Sequence, residues 1–137
     1  MITQTLSKFQ APALNLLRIM AGFLFFPHGA QKLFGLFGGF GGQPGATAPL
    51  LSLIGVAGVL EFFGGLLVMC GLFTRPVAFI LSGLMAAAYF MGHFPQGVWP
   101  LLNQGELAVL YSFVFLFLAA GGGGDLSIDG LLRKGRH

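Results

Sequence analysis

Charge is scarce in this 137-residue chain: 8% of its residues are Asp, Glu, Lys or Arg, where a soluble domain carries about 25%. Hydrophobic residues make up 55% of the sequence and the mean hydropathy is +0.85, which excludes an ordinary water-facing globule and indicates a membrane chain. Cysteine is scarcer still. Cys70 stands alone, so neither an internal disulfide nor a CxxC dithiol pair can form within one chain. The small excess of seven Lys and Arg over four Asp and Glu gathers at segment ends, a pattern of membrane topology rather than of nucleic-acid binding. The N-terminus lacks a short apolar run ending at a small-residue cleavage site, and the first apolar stretch therefore reads as a retained helix rather than a secretory signal.

What is present is long apolar sequence. Each crossing uses roughly 20 apolar residues, so the chain has room for four spans and for no separate soluble domain. The expected fold is all-α, an integral membrane four-helix bundle forming a single domain over 1–137. The helices are expected at about 13–34, 49–72, 76–92 and 104–120, followed by a polar tail at 121–137. Pro12, Pro49 and Pro76 stand where a first-turn proline is tolerated, because its missing N–H has no intrahelical partner. Between Gly35 and Pro49 six glycines and two prolines suit a surface or re-entrant loop. His93 to Pro100, with two prolines and Trp99, reads as an ordered interfacial loop. Asn103-Gln104-Gly105-Glu106 has capping-box spacing, with Asn103 as the cap, Glu106 reaching back, and Leu102 and Leu107 placed for a hydrophobic staple. Lys8, Arg18, Arg75, Arg133, Lys134 and Arg136 fall on one side of a four-span chain, which puts both termini in the cytoplasm by the positive-inside rule; Lys32 falls on the other side.

Ionisable groups within spans are costly and usually face protein. Glu61 lies twelve residues after Pro49, about 18 Å along a helix, near mid-membrane. Its neighbours Ala57, Gly58, Gly64 and Gly65 form a small-residue face that lets another helix approach. Glu61 is then either a protonated or paired carboxyl that fixes helix register, or a proton or ligand site. His28 and Lys32 share one face of the first helix with Gln31 beside them; snorkelling to the headgroups is the simpler account of Lys32, whereas His28 lies one turn deeper and can change protonation near neutral pH. Tyr89 and His93 are likewise four apart. A compact bundle would bring His28, His93 and Glu106 together in the outer leaflet, although His93 has loop carbonyls to bond and Glu106 has its capping role. The two histidines lack any spacing that points to haem, and no metal site is expected. Small-residue faces permit a homo-oligomer without requiring one.

The order of these motifs resembles the DoxX family. Leu17-Arg18, Pro27-His28-Gly29-x-x-Lys32-Leu33-Phe34-Gly35, Glu61 in a glycine-rich helix and Leu72-x-Thr74-Arg75 carry the likeness in the first half. His93-Phe94-Pro95-x-Gly97-x-Trp99-Pro100, Asn103-x-Gly105-Glu106 and Leu126-Ser127-x-Asp129 extend it over nearly the whole chain. The resemblance implies a small multi-pass protein of the bacterial inner membrane, related to the membrane subunit of a thiosulfate–quinone oxidoreductase and linked to redox or thiol stress. By that analogy His28, Glu61, His93 and Glu106 would surround a quinone headgroup, a histidine or lysine donating to one carbonyl while a carboxyl exchanges protons. Gln104 departs from the family pattern, in which a second glycine is common, and is expected to alter its loop slightly. The leading expectation is a redox-associated membrane subunit or accessory protein that binds a quinone or other small molecule near the outer leaflet among Glu61, His28, Lys32, Tyr89, His93 and Glu106; the sequence leaves open whether it is itself an enzyme. The rivals are a non-catalytic scaffold that recruits soluble redox or stress enzymes on the cytoplasmic side, and a small-solute or proton pathway through Glu61.

Overall fold

The computed structural model describes residues 2–136, and all regular structure among them is helical. A short helix α1 (Ile2–Ser7) leads into the long α2 (Gln10–Phe34). Next come α3 (Leu53–Cys70) and α4 (Thr74–Ala88). Beyond Ala88 the chain stays helical through a wide i→i+5 turn, Tyr89–His93, and a 3₁₀ turn, Phe94–Gln96. The short α5 (Pro100–Asn103), then α6 (Glu106–Gly121) and α7 (Ile128–Lys134), complete the chain.

Two expectations change. Pro49 does not open a helix: Ser52 does, its Oγ accepting the Gly55 N–H at 3.0 Å, and α3 starts four residues later than expected. The side-chain oxygen of Ser52 satisfies an orphan first-turn donor, which Pro49 has no group to do. No capping box forms at α6 either. Gly105 is the cap residue and makes no side-chain cap bond, because Asn103 closes α5 and turns its Oδ1 to the Gly105 N–H at 2.8 Å. Within the expected tail the chain forms a further short helix, α7.

The α2 helix, α3 and the stretch Thr74–Gln96 are long and apolar enough to cross a membrane. At 16 residues, α6 spans about 24 Å, short of a ~30 Å hydrocarbon core. The outward faces of the long helices are apolar, with Phe23, Leu24, Phe63, Phe79, Ile80, Phe113 and Phe117 all exposed. On a soluble protein such a surface would aggregate; against acyl chains it is at home.

Inside, α2 and α3 meet backbone to backbone. Gly22 and Gly29 of α2 face Gly65 and Gly58 of α3: a methyl at Gly22 would sit 2.5 Å from the Met69 amide nitrogen, one at Gly65 2.7 Å from that of Phe26, and one at Gly29 would collide with that of Phe62. The second pair, α4 and α6, is tied by reciprocal serines, Ser82 Oγ donating to the Ser112 carbonyl at 2.7 Å and Ser112 Oγ to that of Ser82 at 2.9 Å. Such polar ties hold helices together where lipid offers no hydrophobic gain. Phe25 joins the two pairs, its ring 5.0 Å from Tyr111 and 4.8 Å from Phe115, in a core completed by Val68, Ala78, Leu81, Met85 and Leu118.

The C-terminal segment folds back over one end of these helices. Arg18, 1% exposed, donates to the Gly123 carbonyl at 2.5 Å and the Leu126 carbonyl at 2.7 Å. Asn15 Oδ1 accepts the Leu126 N–H, and Arg75 donates to the Ala120 carbonyl at the end of α6, where a cation suits the helix dipole. Asp129 accepts the N–H groups of Phe73 and Thr74, both at 2.9 Å. Burial pushes the Asp129 carboxyl upward, but the bonds from Thr74 and Phe73 and the nearby Arg133 outweigh it and hold the group below its ordinary value. Arg18 and Arg75, read from sequence as topology markers, are thus also structural ties.

A methyl at Gly29 must push α2 and α3 apart, so Gly29→Ala is expected to destabilise by about 1–3 kcal/mol in thermal melts in detergent. Gly83→Ala, where a Cβ meets nothing within 4 Å, should be neutral or slightly stabilising; equal effects at both positions would show that the seam is not tight. Because Asp129 has a depressed value when folded, its contribution is fully present above the unfolded carboxyl pKa of about 4 and is lost as pH falls through the folded value. Amide protection at Gly130–Arg133, measured relative to the intrinsic exchange rate at each pH, should therefore fall at acid pH in the wild type, and Asp129→Asn should show the lowered protection already at neutral pH.

Candidate functional site

Lys32 and Glu61 meet where the glycine seam draws α2 and α3 together. Lys32 lies one turn after Gly29 and Glu61 one turn after Gly58, so register at the glycines brings the two side chains side by side. The Lys32 Nζ donates to Glu61 Oε2 at 2.5 Å, with the two side chains 22% and 6% exposed. Lys32 therefore does not reach out to the headgroups: a buried carboxylate within reach is a better partner for the ammonium than the interface, and it relieves the cost of Glu61 near the middle of α3. Of the two structural accounts of Glu61, the paired one holds.

The pair borders a cavity of about 290 Å³ among α2, α3, α4 and α6. His28 and Lys32 reach it from α2, Glu61 from α3, His93 from the wide turn after α4, and Gln104, Ala108 and Tyr111 from α6 and the loop before it; Phe25, Met85, Ala88 and Leu107 supply apolar wall. The cavity is open to the surroundings, since His28 and Leu107 are exposed.

Each polar group brings its own capability. His93 Nδ1 lies 3.0 Å from the Asn103 carbonyl; a carbonyl only accepts, so Nδ1 carries a proton, and Nε2 is left to accept a hydrogen bond or, once protonated, to donate one. The loop-carbonyl account of His93 is thus correct for one nitrogen and leaves the other free for a ligand. The wide turn at Tyr89–His93 has a local cause: Pro95 cannot continue an α-helical ladder, and the looser turn brings the His93 ring to the Asn103 carbonyl. His28 and the Tyr111 hydroxyl line the cavity with no hydrogen-bond partner among the described residues. Gln104 adopts a left-handed conformation, φ 59°, one that glycine enters without strain and glutamine does not; its side chain nevertheless lines the cavity.

Two of the expected residues lie elsewhere. Tyr89 is not at the cavity: its hydroxyl donates to the Val98 carbonyl at 3.2 Å and accepts from Asn103 Nδ2 at 3.3 Å, which pins the interfacial loop. Glu106 is exposed and borders a neighbouring surface depression with Pro100, Leu101 and Leu110, which shares Gln104 and Leu107 with the cavity but no other lining residue. It does not join His28 and His93, because as the first residue of α6 it points away from the face that carries Ala108 and Tyr111. The sequence reading missed Tyr111, which looked like one more aromatic among sixteen phenylalanines; its only signal was a hydroxyl one turn beyond Leu107 on a helix otherwise almost free of polar groups.

A profile of the DoxX family matches residues 13–94. The chain belongs to the DoxX family. This is the family that its motifs resemble, and the matched stretch contains Lys32, Glu61 and the glycine seam. The chain is 41% identical over 127 residues to an uncharacterized protein of Haemophilus influenzae, covering 90% of this chain and 93% of the relative. It is 41% identical over 78 residues to the inner membrane protein YqjF of Escherichia coli, 56% of this chain and 58% of that protein. It is also 29% identical over 121 residues to a Bacillus subtilis protein named "Putative oxidoreductase CatD", covering 88% and 87%. No solved structure matches it.

In this DoxX protein, removing one partner of the Lys32–Glu61 pair leaves the other charge without compensation. Lys32→Met or Glu61→Gln is expected to cost about 3 kcal/mol, the low end for a buried pair because Lys32 is partly exposed. A Lys32→Met/Glu61→Leu double variant should recover most of that loss in denaturant titrations in micelles. Single variants within ~0.5 kcal/mol of wild type would mean that the pair is solvated and adds nothing.

Proposed function

We propose that this DoxX protein is a multi-pass protein of the bacterial inner membrane that binds a quinone, or a redox-active molecule of similar shape, in the cavity beside Lys32 and Glu61. In this reading α2, α3, Thr74–Gln96 and the shorter α6 form a four-span bundle with both termini in the cytoplasm. The bilayer thins locally around α6, as it does around other short spans. The side assignment rests on Lys8, Arg18, Arg75 and the cationic end of the chain, and puts the cavity toward the outer leaflet. Membership of the inner membrane draws on the name of the Escherichia coli relative, and the redox association on that of the Bacillus subtilis one.

The observation that carries the proposal is the convergence of polar groups from four helices on one open, largely apolar cavity. Small-molecule sites combine apolar walls with a few converging polar groups, in volumes from about 300 Å³ upward. A cavity of about 290 Å³ suits one ring-sized headgroup with its apolar tail leaving past Leu107 into lipid. A quinone carbonyl can accept from the Tyr111 hydroxyl or from protonated His93 Nε2, and a quinol hydroxyl can donate to neutral Nε2. The Lys32 ammonium, held by Glu61, presents further N–H donors at the same wall.

Protein purified in mild detergent from its native membrane should carry a quinone, seen in the near-ultraviolet spectrum and identified by mass analysis of the extracted small molecules. A His93→Phe/Tyr111→Phe variant should lose at least tenfold of it, the factor that ~1.4 kcal/mol of hydrogen bonding represents. Extraction of ordinary lipid alone, with an unchanged spectrum, would favour the non-catalytic scaffold instead.

A further inference from the structure

A second cavity, of about 320 Å³, opens at the other end of the molecule between the start of α4 and α7. Arg75, Arg133 and Arg136 line it together with the apolar Phe73, Pro76 and Leu132. The guanidinium groups of Arg133 and Arg136 are on exposed residues and make no hydrogen bond or ion pair among the described residues. Among the described residues the one carboxylate at this cavity, Asp129, already has its two oxygens on the Phe73 and Thr74 N–H groups. Three arginines therefore face one engaged carboxylate, and the cavity is electropositive. Its apolar lining is open to the surroundings: Phe73 is 62% exposed and Leu132 57%.

We propose that this cavity binds the phosphate of an anionic phospholipid from the leaflet that faces α7, with the first acyl carbons lying over Phe73 and Leu132. Guanidinium groups match phosphate oxygens in a two-pronged geometry that a lysine cannot offer. Cations placed beside the end of a membrane helix are drawn to an anionic leaflet. Free phosphate would satisfy the arginines but would leave Leu132 and Phe73 facing water. A phospholipid satisfies both, because its charge and its apolar chains meet at the level where these side chains meet. The folded-back C-terminal segment is what builds the site: the ties from Arg18, Asn15 and Asp129 hold α7 against the start of α4, so that Arg133 and Arg136 converge with Arg75 on one cavity.

The test is native mass spectrometry of the detergent-solubilised full chain with added phosphatidylglycerol or phosphatidylcholine. The wild type should retain phosphatidylglycerol in preference to phosphatidylcholine. Arg133→Gln and Arg136→Gln should each lower that retention about 5-fold, the factor equivalent to ~1 kcal/mol per cation at an anionic surface. Lys134→Gln removes an adjacent cation that does not line the cavity and should leave retention near wild type. Equal retention of the two lipids, or an equal loss in Lys134→Gln, would overturn the proposal in favour of diffuse charge attraction. Displacement of phosphatidylglycerol by inorganic phosphate at similar concentration would overturn it in favour of a free anion.

Discussion

The close approach of α2 and α3 is the constraint on which the rest of this protein depends. At Gly22, Gly29 and Gly65 backbone meets backbone, and Gly58 leaves room for the Lys32 and Leu33 side chains. The helices gain dense van der Waals contact in an environment that supplies no hydrophobic drive toward association. A seam this tight also fixes rotation and register, since a shift of one residue would bring a side chain where only hydrogen fits. That register puts Lys32 against Glu61. Were the helices further apart, the ammonium would have the headgroups as its nearest polar partner and the carboxyl would have none.

The two ends of the bundle use their polar groups differently. At one end most of the buried polar side chains hold the fold: Arg18, Asn15 and Asp129 are bonded to backbone of the C-terminal segment or of the turn before α4, and Arg75 caps α6, while Arg133 and Arg136 stay exposed. At the other end the consumption is incomplete. Asn103 and Tyr89 pin the interfacial loop, while His28, Tyr111 and one nitrogen of His93 keep unused hydrogen-bonding capacity beside the Lys32–Glu61 pair. Unused polar groups around an apolar hollow cost free energy in a membrane, and a ligand that pairs with them recovers it. Gln104 fits this view, since it holds a strained conformation while its side chain faces the hollow, and strain of this kind concentrates at functional sites.

Much of this was legible in the sequence, for identifiable reasons. Apolar runs of membrane length mark helices whatever their neighbours, and the ranges expected for α2 and for Thr74–Gln96 lie within a few residues of those observed. The small-residue face around Glu61 was legible because glycine at helical spacing has few other uses within a span. The DoxX motifs were legible because several occur in order. What misled was local pattern with more than one use. Asn103-x-x-Glu106 has capping-box spacing, yet Asn103 found three loop partners, Tyr89, Gly97 and Gly105, that lie close only after folding. Lys32 near a helix end looked like a snorkelling lysine because nothing in the order of residues says which face Glu61 presents. The first half of α2 and the start of α4 are far in sequence from α7, so the burial of Arg18 had no local signal at all.

By itself the sequence determined that the chain is helical, that it belongs in a bilayer, and that Glu61 must face protein. These follow from hydrophobicity and backbone hydrogen bonding, which act over a few turns of a single helix and need no knowledge of what packs where. Only the tertiary structure decided that Glu61 is paired with Lys32, that His28, His93 and Tyr111 share a cavity while Tyr89 and Glu106 do not, and that the C-terminal segment closes the opposite end. Those outcomes depend on the rotation of each helix about its axis. Rotation is set by contacts between residues distant in the chain, here glycine against glycine and serine against serine, and no periodicity within one helix encodes it.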